Sequence, residues 1–405
     1  MLTKLIHRLL AHRHPWRGVD FSQMNQIYLM MLVRGMAIGM TGLFIPVFLL
    51  RIGYSLNAIL FIILLYFVFR TIADIGGAFL VARFGPKHTM VMGQVLFMAT
   101  SGLFLTLQTM HWPSFVLALF WGAAQSCSFI AFDVDFSKIK HDKHAGKELG
   151  YAESMGRVGS VLGPLVSGIV SLTLGPKYIF GVASILMFVG LVPILRTKEP
   201  TRTHQKLRYR DFSMTPLKPQ LPSFVAIHLE NTLSLLGWPL YLALFVLPGS
   251  AVYMKVGILS SISMFVAIVS AHSIGRAIDN GSGRKILRFS ATMNAIIHLG
   301  RVLVRSYPIS FMVGIANEVV TLGYRLPFFK AYYDQADDYP GHRIVFLSSV
   351  ESFASLVKTM FYGLFWMLSF YLSARQVLTV MFITAALASL VIMSESFKTL
   401  GKRGI

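Results

Sequence analysis

The sequence predicts an all-α integral membrane protein whose twelve transmembrane helices form two pseudo-symmetric six-helix bundles. Three observations favour this fold class. The 405-residue chain is 55% hydrophobic and 13% charged, whereas about a quarter of the residues of a soluble protein are charged. The apolar residues fall in blocks long enough to cross roughly 30 Å of hydrocarbon as helices. A short basic loop also occurs twice, about 200 residues apart, which indicates an internal duplication.

The apolar blocks define the elements in chain order. Because lipid offers no hydrogen-bonding partners, each block must pair its backbone amides within its own segment, as a helix does. Stretches containing polar residues, glycine or proline separate consecutive blocks. Twelve spans are predicted, at about 25–50, 57–82, 89–109, 113–135, 149–173, 178–195, 223–247, 251–277, 285–306, 308–333, 344–370 and 374–394.

The longest polar stretch separates two halves of six spans each. Residues 196–222 contain seven basic residues and four prolines, a composition typical of a linker. The predicted organisation is a basic cytoplasmic tail (1–24), an N-terminal bundle (25–195), a cytoplasmic linker (196–222), a C-terminal bundle (223–394) and a second cytoplasmic tail (395–405).

The placement of charge predicts the topology. Of the 37 lysine and arginine residues, 25 fall on the side of the amino terminus, five on the opposite side and seven within spans. This is the positive-inside pattern, and it predicts a multi-pass protein of the cell (inner or plasma) membrane with both termini in the cytoplasm. The net charge of +20 is then explained by topology and by attraction to the lipid bilayer, so we expect no nucleic-acid partner.

Several kinds of site have no counterpart in the sequence. Cys127 is the single cysteine, which excludes a disulfide framework and a thiolate metal site. No phosphate-binding loop of an ATP-driven pump and no zinc-protease motif occurs. We therefore expect no cofactor, no metal and no enzymatic activity, and we expect a monomer.

The repeated loop reads ARFGPK at 82–87 and DNGSGRK at 279–285, each between the second and third span of its half. Together with twelve spans and a central linker, these loops resemble those of the major facilitator superfamily, whose loop motif is approximately G-x-L-A-D-R-x-G-R-K. The first copy has Ala82 where the family has an acid, and it matches at Leu80, Arg83, Gly85 and Lys87. The second copy has one inserted residue, and it keeps Gly275, Asp279, Gly283, Arg284 and Lys285.

The resemblance implies that the loops form a latch of the cytoplasmic gate. We expect Asp133 in span four to pair with Arg83. Since Ala82 cannot interact with a helix dipole as the family's acid does, the latch should depend on Asp279. The alternative is that both loops are ordinary basic turns. The expected gating residues are Arg83, Gly85, Lys87, Asp133, Asp279, Gly283 and Arg284.

Span five carries a second resemblance, to the G-x-x-x-G-P-x-x-G-G motif of exporters in the superfamily. The matching residues are Gly159, Gly163, Pro164 and Gly168. The resemblance to this exporter-like, bacterial subgroup implies efflux. Small residues four apart also let two helices approach closely, so helix packing is an equally good interpretation.

Charged residues deep in the spans mark the candidate site, because a charge at mid-bilayer costs about 2.5 kcal/mol or more. At 1.5 Å per residue, Arg34 lies roughly 13 Å into span one, Glu230 about 10 Å into span seven and Glu318 about 15 Å into span ten. The resemblance implies that spans one, four, seven and ten line the central cavity. The expected substrate- and proton-binding residues are Arg34, His228, Glu230, Glu318 and Arg157.

Other buried charges have partners at helical spacing. Arg70 and Asp74 are four residues apart, as are Glu153 and Arg157, and we expect both pairs to neutralise charge within one helix face. On span eleven, Glu351 and Lys358 share a face and have either a structural or a transport role.

The predicted function is secondary active transport by alternating access, with proton-coupled efflux of small amphipathic or organic molecules. A proton-carrying carboxylate must bind and release its proton near neutral pH, and Glu230 and Glu318 are the candidates. The first alternative is proton-coupled uptake of a polar or anionic metabolite at Arg34 and Arg157. An alternative of another class is a membrane receptor, scramblase or regulatory protein without coupled transport.

Overall fold

The computed structural model shows an almost entirely helical protein. It describes residues 21–139, 145–196, 204–207, 209–212, 215–247, 249, 251–336, 338–339, 341–397 and 400. The predicted amino-terminal tail lies almost wholly outside the described residues. Each of the twelve predicted spans corresponds to one long helix in the described part of the chain.

The N-terminal half contains six long helices. They are α1 (Phe21–Gly42, continued after a two-residue turn by Ile45–Arg51), α2 (Leu56–Phe84), α3 (Pro86–Leu105), α4 (Ser114–Ile139), α5 (Ala145–Thr173) and α6 (Tyr178–Arg196). The C-terminal half contains α7 (Leu221–Tyr241), α8 (Val252–Ala277), α9 (Gly283–Arg301), α10 (Tyr307–Ala336), α11 (Arg343–Leu368) and α12 (Ala374–Ile392).

Nine of these helices are apolar and long enough to cross a membrane, judged on the described residues. The other three are α6, whose apolar part is the shorter segment Tyr178–Val192, and the more polar helices α9 and α10. Some polar residues of α9 and α10 lie in the candidate site described below, and α9 also begins with the basic residues Arg284, Lys285 and Arg288.

The helices of the two halves pack in the same pattern. In the N-terminal half α1 lies against α5 and α6, and α4 lies against α2 and α3. In the C-terminal half α7 lies against α12, and α10 lies against α8 and α9. The halves meet where α2 packs on α11 and where α5 packs on α8. This pattern agrees with an internal duplication, while the domain boundaries stay a prediction.

The small residues of α5 bring three helices into close contact. A Cβ atom built on Gly159 would lie 2.0 Å from the carbonyl oxygen of Leu32 on α1. A Cβ atom on Gly257 of α8 would lie 2.3 Å from the carbonyl oxygen of Pro164. The motif of span five therefore has a packing role on two sides of α5, one within its own half and one across the halves.

Two faces of the molecule are distinguished below. The linker face is the side at which α2 ends and α7 begins, and the distal face is the opposite side. Contacts between the halves close the distal face. Arg51 donates to the carbonyl oxygen of Leu247 at 3.1 Å, and Asn57 donates to Ser369 at 2.8 Å.

The linker contacts both halves at the linker face. The backbone amide of Gln205 donates to the carbonyl oxygen of Ala82 at 2.8 Å. The Tyr209 hydroxyl lies 2.8 Å from the hydroxyl of Ser348 on α11. Partial burial raises the pKa of Tyr209 above its ordinary value, so this phenol is un-ionised at neutral pH. The linker thus joins the first basic loop to the opposite half.

Candidate functional site

A cavity of about 920 Å³ lies between the two halves. Its wall extends from Leu43 and Trp238, towards the distal face, to Lys330 near the linker-face end of α10. The five residues expected to bind substrate and proton all line this wall. They are Arg34, Arg157, His228, Glu230 and Glu318. Their roles in binding stay a prediction, while their positions around one cavity are a property of the fold.

Arg34 contributes a positive charge from the middle of α1. It is half-buried and lines the cavity. Among the residues that the structure describes, no hydrogen-bond acceptor or carboxylate is paired with its guanidinium. Arg325 on α10 differs, because it donates to the Asn231 side chain and lies 5.2 Å from the ring centroid of Phe329. The guanidinium of Arg34 is therefore available to an anion in the cavity.

Glu230 is held by three hydrogen-bond donors of its own half. Its Oε1 atom accepts from Asn294 at 2.9 Å and from His298 at 2.8 Å, both on α9. Its Oε2 atom accepts from the hydroxyl of Tyr324 on α10. Glu230 is 1% exposed. Such a carboxylate is stabilised in its charged form by the surrounding donors, which favours a structural role.

Arg301 completes the Glu230 cluster on the side of α9. Its Nη1 atom donates to Ser234 at 2.8 Å and to Nδ1 of His298 at 3.1 Å. An arginine has no acceptor, so Nδ1 must be the unprotonated nitrogen and Nε2 must carry the hydrogen that is donated to Glu230. The hydrogen bonds therefore run from Arg301 through a neutral His298 to Glu230.

Glu318 is the contrasting carboxylate. It is half-buried on α10 and lines the cavity. In the described part of the chain no hydrogen bond or ion pair holds it, and the positive charges of Arg301 and Arg325 act on it. Glu318 and Glu230 are equivalent candidates by sequence, but their surroundings in the structure differ. A proton entering the cavity can reach Glu318 without breaking a hydrogen-bonded network.

A second ionic cluster lies where the two halves meet. Arg70 and Asp74 on α2 are 3.8 Å apart, as their spacing predicted. Arg70 also lies 3.6 Å from Glu351 on α11, and Glu351 lies 3.4 Å from His228 on α7. We call Arg70, Asp74, His228, Glu351 and Lys358 the seam cluster. It connects both halves and includes two residues of the cavity wall, His228 and Glu351.

The prediction of an ion pair between Arg83 and Asp133 is wrong. Arg83 is exposed at the linker-face end of α2, where its guanidinium lies 5.5 Å from the ring centroid of Phe84. Asp133 is buried on the cavity wall and accepts a 2.9 Å hydrogen bond from Tyr333 on α10. The two residues lie at different depths along the membrane-spanning helices. Span boundaries predicted from the sequence do not resolve this difference.

The two repeated loops have different partners. Gly85 ends α2 with φ of 89°, a conformation that favours glycine, and half-buried Lys87 follows it in α3. In the second copy Gly283 is buried, and Arg284 donates to Glu395 at 2.8 Å, beyond α12. The side chain of Asp279, on which the latch was expected to depend, lies outside the described residues, as does that of Glu153.

A family model described as Major Facilitator Superfamily matches residues 27–328, about three quarters of the chain. The chain belongs to this superfamily. Membership of the superfamily indicates a multi-pass membrane transporter rather than an enzyme. The predicted fold class is confirmed, whereas membership of an exporter-like subgroup stays a prediction.

Solved structures of superfamily transporters share the fold. A POT family transporter in complex with a thioalcohol-conjugated peptide has a TM-score of 0.66 at 13% identity, covering 91% of this chain and 95% of that one. A mutant of the nucleoside transporter NupG has a TM-score of 0.66 at 10% identity, covering 94% and 100%. At these identities the likeness concerns the fold alone.

One curated relative matches part of the chain. The "Benzoate transport protein" of Acinetobacter baylyi is 29% identical over 154 residues, which are 38% of this chain. The match covers 33% of the relative's own length.

Several residues of the candidate site are not among those predicted from the sequence. Asn294, His298 and Arg301 follow the i, i+4, i+7 spacing that places side chains on one helix face. That spacing in a span of low hydropathy was the available signal for a polar face on α9. Nothing local in the sequence identified Tyr324 or Trp238 as site residues, because their partners come from other helices.

Proposed function

We propose that this transporter moves a small organic anion together with a proton. The observation that carries the proposal is that one cation and one carboxylate on the wall of the same cavity both lack a partner. Within the described chain, Arg34 and Glu318 are the two charged wall residues that lack a hydrogen-bond or ion-pair partner. In this scheme Arg34 binds the anion and Glu318 binds the proton.

The charge of the cavity wall supports an anionic substrate. Among the described residues, five basic ones line it, Arg34, Arg157, Arg301, Arg325 and Lys330, against four acidic ones, Asp133, Glu230, Glu318 and Glu351. This described part of the wall has one excess positive charge when every carboxylate is ionised, and two when Glu318 is protonated. Protonation should strengthen anion binding, and by linkage the anion should strengthen proton binding to the same degree.

The apolar part of the wall supports a substrate with a hydrophobic or aromatic body. Phe129, Phe132 and Trp238 line the cavity among aliphatic side chains. An aromatic carboxylate combines an anionic head for Arg34 with a flat apolar body for these rings. The name of the partial relative, a benzoate transport protein, agrees with this class of substrate.

Proton-coupled efflux of amphipathic molecules remains the second candidate, because span five resembles the exporter motif. The packing of Gly159 against α1 and of Pro164 against α8 accounts for that motif without any reference to direction. Movement of an anion together with a proton therefore has the stronger support. Coupling one proton to a monovalent anion would make the cycle electrically neutral.

The test is benzoate flux in proteoliposomes under an imposed pH gradient. We expect accumulation on the alkaline side with the wild-type protein to be faster and greater than the passive accumulation of benzoic acid in protein-free liposomes. Arg34→Gln should weaken benzoate binding by about tenfold or more, since a hydrogen bond to a charged group contributes about 1.5–3 kcal/mol. Glu318→Gln should permit exchange of benzoate but reduce accumulation to the level of protein-free liposomes.

The control is Arg375→Gln, which removes an exposed arginine that does not line the cavity. It should transport like the wild type. Movement of benzoate against the proton gradient would support efflux instead. The absence of any substrate-dependent proton movement, for benzoate and for amphipathic probes alike, would support a receptor or regulatory protein.

A further inference from the structure

We propose that Phe129 on α4 determines substrate specificity, and that its ring is a stacking platform which selects planar, electron-rich aromatic substrates. This role rests on the proposed function only for the carboxylate of the substrate. Of the aromatic side chains that line the cavity in the described part of the chain, Phe129 is the one that is exposed, at 43%. A ring so open to a cavity between helices is available to a ligand.

Phe129 differs from the other rings of the wall in its contacts. Trp238 is 6% exposed and contacts the rings of Tyr241 and Phe382. Phe329 is half-buried among other rings of α10. Among the residues that the structure describes, no aromatic ring contacts Phe129. Packing against other described rings therefore does not account for an aromatic residue at this position.

A cation lies against one face of the Phe129 ring. The guanidinium carbon of Arg70 on α2 is 5.0 Å from the ring centroid. Arg70 is 8% exposed and is not one of the described residues that line the cavity, whereas Phe129 is. Arg70 therefore covers the ring from behind the cavity wall, and the cavity side of the ring stays open.

Arg70 is held in place by partners on two helices. It donates to the hydroxyl of Tyr66 at 3.1 Å and lies 3.8 Å from Asp74, both on α2. Glu351 on α11 lies 3.6 Å from it. Because these contacts fix the guanidinium before a ligand arrives, the site needs little further ordering to receive a ring. The seam cluster thus gives the platform a preformed support.

The cation sets the preference of the open face. The face of a phenyl ring carries partial negative charge, so an isolated ring stacks best on an electron-poor partner. A cation attracts the π electrons towards its own side, and the opposite face of Phe129 is then less negative. An electron-rich ring should stack on that face more favourably than an electron-poor ring of similar size. The sign of this preference distinguishes a ring supported by a cation from an ordinary apolar contact.

Phe129 and Arg34 can act on one ligand, because they line the same cavity at similar depth. Counted from the distal-face ends of their helices, Phe129 lies roughly 22 Å along α4 and Arg34 roughly 25 Å along α1, at 1.5 Å per residue. A carboxylate bound at Arg34 can therefore carry a flat ring at the level of Phe129. The substrate class is accordingly a planar aromatic carboxylate with electron-donating ring substituents.

The test is equilibrium binding in nanodiscs by isothermal titration calorimetry, with empty nanodiscs as the reference for partitioning into lipid. Benzoate and cyclohexanecarboxylate have the same charge and differ in the aromatic ring. 4-Methoxyphenylacetate and 4-nitrophenylacetate differ in the electron density of the ring, while a methylene group separates the ring from the carboxylate. We expect the wild type to prefer benzoate and the methoxy compound, each by about twofold to tenfold, the range of one aromatic contact.

A neutral pair of probes separates this role from the proposed function. 4-Methoxybenzyl alcohol and 4-nitrobenzyl alcohol have no charge for Arg34 to bind. Preference for the methoxy alcohol without binding of any anion would support the platform and contradict the proposed function. Binding of the anions without either preference would overturn the platform and leave the proposed function in place. Failure of every probe to bind would overturn both.

Three variants make the result specific to Phe129. Phe129→Leu and Phe129→Met lack the ring, and each should bring both preferences to about unity, so that either variant suffices if the other does not fold. Phe129→Tyr retains a ring and should keep the preference for benzoate over cyclohexanecarboxylate. The control is Phe115→Leu, which removes an exposed ring of α4 outside the described cavity wall and should bind like the wild type. Preferences that persist unchanged in Phe129→Leu or Phe129→Met would overturn the role of this ring.

Discussion

The carboxylate of Glu230 and the imidazole of His298 are joined by a 2.8 Å hydrogen bond between α7 and α9, with both side chains at most 1% exposed. This bond belongs to a network in which Glu230 is the common acceptor and Arg301 donates to the other ring nitrogen, Nδ1 of His298. The C-terminal half thus has an internal polar core of its own. Glu318, by contrast, lines the cavity with no hydrogen-bond or ion-pair partner among the described residues.

The Glu230 network should stabilise the fold, and the loss of stability should increase with the number of its hydrogen bonds that a substitution disrupts. We expect Tyr324→Phe to lower the free energy of unfolding by about 1 kcal/mol, the usual value of a hydrogen bond between membrane helices. Glu230→Gln should cost about 3 kcal/mol or more, since it disrupts a buried charged acceptor. Denaturation in detergent measures both. Tyr307→Phe, which loses only an exposed hydrogen bond to Lys255, is the matched control and should change little.

Close packing of α1 on α5 predicts a position-specific effect of alanine. A Cβ atom on Gly39 would lie 2.7 Å from the carbonyl oxygen of Ser160, whereas a Cβ atom on Gly42 of the same helix has nothing within 4 Å. Gly39→Ala should destabilise the protein by about 1–3 kcal/mol through overpacking, and Gly42→Ala should not. Size-exclusion profiles and thermal stability of the two variants test this. Equal behaviour would contradict the close contact.

Arg51 should keep the distal face closed, because it bridges the N-terminal half to carbonyl oxygens at the end of α7. We expect Arg51→Gln to increase labelling of a cavity cysteine, Ile38→Cys, by a membrane-impermeant thiol reagent added at the distal face. The background carries Cys127→Ser. Arg305→Gln removes an exposed arginine at the same face and should leave labelling unchanged. Equal labelling of the Arg51 and Arg305 variants would exclude this role of Arg51.

Tyr333 should limit access to the cavity from the linker face, as Arg51 does from the distal face. Its hydrogen bond to Asp133 joins α10 to α4 near the linker face. Tyr333→Phe should raise labelling of the same cavity cysteine when the reagent is added at the linker face. Tyr339→Phe retains the ring packing on Phe346 at 5.1 Å and is the control. If labelling rises equally in both variants, the effect is not specific to the bond with Asp133.

Much of the fold could be predicted because the membrane imposes a simple rule on sequence. Continuous apolar segments must be helices, and their number, order and approximate ends follow from composition. The same rule identified Arg34, Glu230 and Glu318, because a charged side chain within a span costs free energy and is found there where it has a partner or a function. All three line the cavity.

The partners of these charges could not be predicted in the same way. Glu230 and His298 are 68 residues apart in the chain, and their contact depends on how α7 and α9 are rotated about their axes. Pairs within one helix, such as Arg70 and Asp74, follow from spacing alone. The expected pair of Arg83 and Asp133 was wrong because the two residues lie on separate helices. The depth and the rotation of those helices determine whether the side chains meet.

The linker contacts set a length limit on motion at the linker face. Gln205 is bound to the end of α2 and Tyr209 to the start of α11, and four peptide steps join them. A fully extended chain of that length spans at most about 14 Å. The short segment therefore acts as a tether. Rocking that separates the two helix ends by more than this backbone span plus the Tyr209 side chain and the two hydrogen bonds must first release Tyr209 from Ser348 or Gln205 from Ala82.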